Sequence, residues 1–121
     1  MKKLLILLFS LISFIGTSYA GDLETNISKL INTNYCEDCD LSEANLSGTD
    51  FSGANLSGAT LNGADLSKAD LSKADLSKAN LLKINFRRAN LSGTNFRGAD
   101  LSNADLSNAD LTKADLSNAD F

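Results

Sequence analysis

From Leu41 to Phe121 a large apolar residue returns at every fifth position, seventeen times in succession, thirteen times as Leu and four times as Phe (Phe51, Phe86, Phe96, Phe121). Two places before it sits a small residue, as in Ala44, Ala54 and Ala64, and one place before it sits Asp, Asn or once Thr60. A period of five fits no straight element. An α-helix turns roughly 100° per residue and would spread these leucines around the whole cylinder. A straight strand alternates with period 2 and would throw successive leucines onto opposite faces. The chain must therefore turn a corner within each unit. Three extended residues point in, out and in (Ala, Asp, Leu), and two more bend the chain, usually Ser with Gly, Lys or Asn, residues suited to turns. Such a chain coils into an all-β solenoid with Ala and Leu along its axis.

Residues Asp22 to Thr33 leave this rule and place Leu23, Ile27, Leu30 and Ile31 at i, i+4, i+7 and i+8. That spacing predicts a short helix with one apolar face, Asp22 its N-cap and Asn32-Thr33-Asn34 its stop. A helix this short is marginal alone, so its apolar face is expected to cover the open first coil. At the other end Phe121 is itself an inward position, so the last coil is expected to be bare and to meet another chain end to end, or to be tolerated through its Asp residues.

The unit Ala-Asp/Asn-Leu-Ser-x resembles the motif of the pentapeptide repeat family over about two thirds of the chain. The resemblance implies a right-handed quadrilateral β-helix of about four coils, four units to a coil, preceded here by the short capping helix. The expected organisation is a leader over 1–20, the capping helix and linker over 21–35, and the β-helix over 36–121.

The leader is read from Lys2 and Lys3, the apolar run Leu4 to Ile15, and the small residues Ser18 and Ala20. This three-part pattern is that of a secretory signal peptide cleaved before Gly21. Twelve apolar residues fall short of the ~20 that span a membrane, and no lipid anchor is expected. The expected location is extracytoplasmic, periplasmic or secreted. Without the leader nine basic residues oppose fifteen acidic ones, a net charge of −6. No basic excess remains for nucleic acid or an acidic membrane surface.

Cys36 and Cys39 stand where helix gives way to coil, Cys36 in a central inward register and Cys39 in a small inward one. A structural disulfide suits an exported chain. A redox-active CxxC would want a helix N-terminus in a thioredoxin-like setting, and a metal site would want two further ligands. Neither context is visible, and no metal or other cofactor is expected.

Outward positions twenty apart should stack, giving columns such as Asp50, Asp70, Asn90, Asp110 and Asn55, Asp75, Asn95, Asp115. Ten of the seventeen positions before the central residue are Asp. These acidic ladders fit a solvated face, with cation binding or mimicry of the DNA backbone as the functional alternatives. The irregular stretch Leu81 to Arg88 interrupts them. There Ile84 takes an inward place otherwise held by Ala or Thr, and Leu82 an outward place usually held by Ser. Lys68, Leu82, Lys83, Arg87, Arg88 and Arg97 form a basic belt and a candidate interaction patch, with Lys68 stacked under Arg88. Phe121 is the candidate end-to-end contact.

With no His, no nucleophile beside a base and an axis filled by Leu and Ala, catalysis is not expected. The favoured function is a structural or protein-interaction module of the cell envelope, its partner another protein or itself. The alternative is a gyrase-binding DNA mimic like the family's quinolone-protection proteins, which requires that the chain is not exported. Ice binding wants a Thr ladder, and Thr49, Thr60, Thr94 and Thr112 fall in different columns.

Overall fold

The computed structural model describes residues 18–121. Helix α1, Ser18–Thr33, leads into a coil that turns at every fifth residue as far as the C-terminus. The helix starts four residues before the expected N-cap, so Asp22 lies inside it and caps nothing. The expected leader is outside the described residues except for Ser18 to Ala20, which open the helix. Among the described residues no helix is long and apolar enough to cross a membrane.

Parallel bridges join residues twenty apart, from Tyr35 with Asn55 to Asp100 with Asp120, so each coil holds four five-residue units. Accounting for the five backbone N–H groups of a unit explains its chemistry, because a backbone donor shut away without a partner is costly. In the unit from Ala64 to Lys68 the Ala N–H donates to the preceding central carbonyl, closing the turn (Ala64 N to Leu61 O, 3.1 Å). The Asp65 N–H donates one coil back to Ala44 O at 2.9 Å. The Leu66 and Lys68 N–H groups donate one coil on, to Asn85 O and Arg87 O, both at 2.8 Å. That leaves the Ser67 N–H, which donates to the Asp65 carboxylate at 2.9 Å. The repeated Asp or Asn is thus the acceptor for the one donor that finds no backbone carbonyl. The residue after Ser sits at positive φ, where Gly meets no steric penalty, yet Lys and Arg hold it at five consecutive turns, 68 to 88.

Inside, Leu41 to Leu81 of the central positions are fully buried, with Ala54, Ala59 and Ala64 between them. Ile84 is fully buried and lies in the coil where Phe86 and Phe96 meet edge to face, 6.0 Å apart. Thr94, also buried, stays satisfied because its hydroxyl donates to Leu71 O at 2.7 Å. Burial fades in the last coil, where Leu106, Leu111 and Leu116 are only half-buried and Phe121 is 70% exposed. At the other end Leu30 of α1 is fully buried against the first coil, with Leu23, Ile27 and Ile31 packed beside it. The Asn26 amide ties the helix down by donating to Asp40 O at 2.9 Å.

Candidate interaction surface

Cys36 and Cys39 form a disulfide with Cα atoms 5.3 Å apart, buried where α1 meets the coil. The Cys36 sulfur touches Asn26 O of the helix at 3.4 Å. Among the described residues no cluster of His, Cys, Asp and Glu is arranged to hold a metal. A cavity of about 280 Å³ opens beside the disulfide's coil, lined by Asp22, Leu23, Thr25, Asn26 and Asp40. Nearby, Tyr35 is exposed, donates its hydroxyl to Glu37 and carries the Lys29 ammonium 5.6 Å from its ring centre. The hydrogen bond to Glu37, and then the Glu37 charge, raise the Tyr35 phenol above its ordinary range.

The outer surface is organised in layers. Residues 22–64 carry seven acidic and one basic side chain, 65–99 carry three acidic and seven basic, and 100–121 carry five acidic and one basic. The middle layer is the basic belt. Lys68, Lys73, Lys78 and Lys83 occupy the four turns of a single coil, all exposed, and Arg88 begins the next. Lys68 donates its backbone N–H to Arg87 O at 2.8 Å, so Lys68, Arg87 and Arg88 share one corner. Leu82, half-buried, and Lys83 share the corner before it. Arg97 does not belong to this group. Ten residues beyond Arg87 in a coil of twenty, it stands half a turn away beside Lys78, whose N–H donates to Arg97 O at 2.8 Å. Arg97 thus stands apart from the other five residues of the expected patch, and the positive charge continues around the coil.

The belt is exposed because neighbouring carboxylates are occupied elsewhere. Asn85, Asn90 and Asn95 form an uncharged ring one coil above Asp65, Asp70 and Asp75. Each amide donates to the carboxylate beneath it, at 3.1, 3.2 and 3.2 Å. This alternation was not read from the columns, although the rows Asp65, Asp70, Asp75 and Asn85, Asn90, Asn95 carry it in plain order. Among the described residues the salt bridge of the belt is Arg87 with Asp105, at 3.9 Å and open to solvent, so it adds little.

The C-terminal layer carries Asp100, Asp105, Asp110 and Asp115, each held below the usual carboxylate range. The first cause is a hydrogen bond from the hydroxyl two residues on, for instance Ser107 to Asp105 at 2.5 Å. The backbone N–H of the same residue is the second. Arg87 lowers Asp105 further and Arg97 lowers Asp115.

Comparison with known proteins places these observations. No curated protein matches the chain in sequence. Among solved structures, a pentapeptide repeat protein from the Arabidopsis thaliana thylakoid lumen superposes with a TM-score of 0.70 at 32% identity, covering 72% of this chain and 61% of that one. This chain thus spans about three fifths of that protein's length. A pentapeptide repeat protein of Nostoc is 30% identical over 78% of this chain and 74% of its own, with a TM-score of 0.48. The plasmid-mediated fluoroquinolone resistance protein QnrB1 is 26% identical over 70% of this chain and 47% of its own, also with a TM-score of 0.48. The family model for pentapeptide repeats matches residues 35–72, 69–108 and 84–121. With that match running from Tyr35 to Phe121, and with the units of the middle coils repeating one five-residue pattern of backbone bonds, the chain belongs to the pentapeptide repeat family.

Proposed function

We propose that this chain is a non-enzymatic interaction module that works outside the cytoplasm by presenting the regular outer sides of a right-handed, four-sided β-helix to protein partners. One observation carries the reading: the axis is filled by buried Leu, Phe and Ala from Leu41 to Leu101, so recognition has only the outside to use. Four turns to each twenty-residue coil support the four-sided section. The apolar face of α1, packed on the first coil, supports its role as a cap that excludes water and further chains from that end. The half-buried leucines of the last coil and the exposed Phe121 are apolar surface that supports a further protein contact there. Export rests on the leader pattern of residues 1–20 and is supported by the likeness to a protein of the thylakoid lumen.

The gyrase-binding alternative would use the acidic columns as a stand-in for DNA phosphates. A basic layer of seven Lys and Arg interrupts those columns, and a phosphate backbone has no such reversal of sign. The interaction module outside the cytoplasm is therefore the better reading. Intact-mass measurement on fractionated cells, with free thiols alkylated before reduction, tests it. The expected species begins at Gly21, lies outside the cytoplasm and takes up no alkyl group. A full-length cytoplasmic species with two alkylated thiols would overturn it and make gyrase binding the next assay.

A further inference from the structure

One side of the coil is a charge palindrome. Along one corner the backbone stacks Asp38, Gly58 and Lys78, and along the next it stacks Glu43, Gly63 and Lys83. The coil-to-coil bonds Asp38 N to Ser57 O, Gly58 N to Ser77 O, Glu43 N to Asn62 O and Gly63 N to Leu82 O, all between 2.9 and 3.0 Å, fix this register. Between the corners runs the bridged column Asp40, Thr60, Asn80. Three rows result, about 4.8 Å apart as neighbouring strands are. They read acid, acid, acid; then Gly, Thr, Gly; then Lys, Asn, Lys.

We propose that this side binds a second copy of the chain, antiparallel, about a two-fold axis that runs along the Gly58-Thr60-Gly63 row. A two-fold lying in the plane of contact turns each column upside down onto itself. Asp38 then faces Lys78 of the second copy, Glu43 faces its Lys83, Asp40 faces the amide of its Asn80, and all three contacts occur twice. Face-to-face packing with the coils parallel does the opposite, setting Asp38 against Glu43 and Lys78 against Lys83. The pattern therefore selects one orientation and closes at two chains.

Three further observations fit this use. The middle row is made of small residues, so nothing bulky holds the two sides apart. Asp38 and Glu43 lean over that row: a methyl group built on Gly58 would lie 2.1 Å from the Asp38 carboxylate, and one on Gly63 would lie 2.4 Å from that of Glu43. At Gly48 and Gly53, on the other corners, such a group meets nothing within 4 Å. Lys78 and Lys83 hold their turns at φ of 57° and 58°, a region in which a side chain other than Gly or Asn is strained. Both are exposed and join no ion pair among the described residues.

This inference rests on the reading of the chain as an interaction module and names the partner of one side. Sedimentation of the purified protein at low and high salt tests it, because screening lengths fall from about 20 Å near 20 mM salt to about 4 Å near 500 mM. The expected result is a dimer whose association constant drops at least about tenfold over that range. Lys78→Glu with Lys83→Glu, and separately Asp38→Lys with Glu43→Lys, should each give monomers. Mixed together they should pair, because all four contacts among positions 38, 43, 78 and 83 of the heterodimer are then between opposite charges. Thr60→Cys, on the axis, should cross-link two copies under mild oxidation, whereas Asp70→Cys, half a coil away, should not. A monomer at low salt overturns the proposal, as does association that salt strengthens, the behaviour of an apolar contact through Phe121. Neither result touches the assignment outside the cytoplasm, which the intact mass decides.

Discussion

Substituting Asn90 by Asp tests the idea that amide-carboxylate alternation lets charged coils stack. Asn90 stands between Asp70 and Asp110 in one bridged column and donates its amide to Asp70 at 3.2 Å. Its side-chain oxygen accepts from Ser92 N at 3.1 Å and from the Ser92 hydroxyl at 2.7 Å. Asp can keep both bonds from Ser92, so Asn90→Asp removes only the bond to Asp70 and adds a charge. A hydrogen bond of this kind contributes about 1 kcal/mol. Two carboxylates about 4.8 Å apart repel by roughly 1 kcal/mol in a water-like dielectric and more near a protein surface. With Asp70 on one side and Asp110 on the other, the sum is ~3 kcal/mol at neutral pH, a fall of roughly 15 °C in melting temperature for a domain near 100 residues. Like charge raises the folded-state pKa of the new Asp above its unfolded value. The penalty is therefore absent below the unfolded value, where the acid is neutral and can donate its own proton to Asp70, and complete above the raised folded value. Thermal melts of both proteins followed by circular dichroism, at neutral pH and below about pH 3.9, read the difference. The two curves should separate at neutral pH and converge in acid, and salt should narrow the gap. An equal gap at both pH values would show that the column tolerates charge and that the substitution acts through packing.

Other perturbations report on other parts of the coil. Because Asp40, Asp100, Asp105, Asp110 and Asp115 titrate below their ordinary value, they add stability above the unfolded carboxylate range and lose it as pH falls through their lowered folded values. Carboxyl NMR titration should show Ser107→Ala returning Asp105 toward the normal range while Asp110 keeps its shift. Phe86→Ala removes the edge-to-face partner of Phe96 and should cost about 3–5 kcal/mol in denaturant unfolding. Reducing the Cys36–Cys39 bond opens a short loop and should cost about 2 kcal/mol. Hydrogen exchange should place that loss in α1 and the first coil, leaving protection over 61–100 unchanged.

The inward pattern was legible because burial depends on one fact per residue, whether a side chain faces the axis. The five-residue period supplies that fact, and every central residue from Leu41 to Leu101 is buried. The outward pattern was legible only in part, since it depends on which residues become neighbours twenty positions apart and on which atom each spends on its own turn. Arg97 belongs to the basic belt around the middle coils, but the ten residues from Arg87 place it half a coil away from that corner. The Asn90 amide was free for Asp70 because its oxygen was already engaged by Ser92, a division of labour within one side chain that composition does not carry. Helix α1 begins at Ser18, ahead of the expected cap, because Asp22 sits where the chain is already helical. The orphaned oxygen of Asn62, buried without a partner, has no counterpart in any motif.

The layered surface changes what a shift of register means for this chain. Insert one five-residue unit below the belt's upper edge and every coil above it rotates by a quarter turn relative to those below. Asn85 would then stand over Asp70 and Asn90 over Asp75, so two of the three amides would still find a carboxylate. The Lys ring would remain a ring. Duplicating or losing a unit thus disturbs angle while largely sparing height, and a lineage of such chains can change length in small steps without dismantling its bands. The antiparallel contact obeys a stricter rule. Its three rows need one whole coil between each and the next, so only additions outside the span from Asp38 to Lys83 leave it intact.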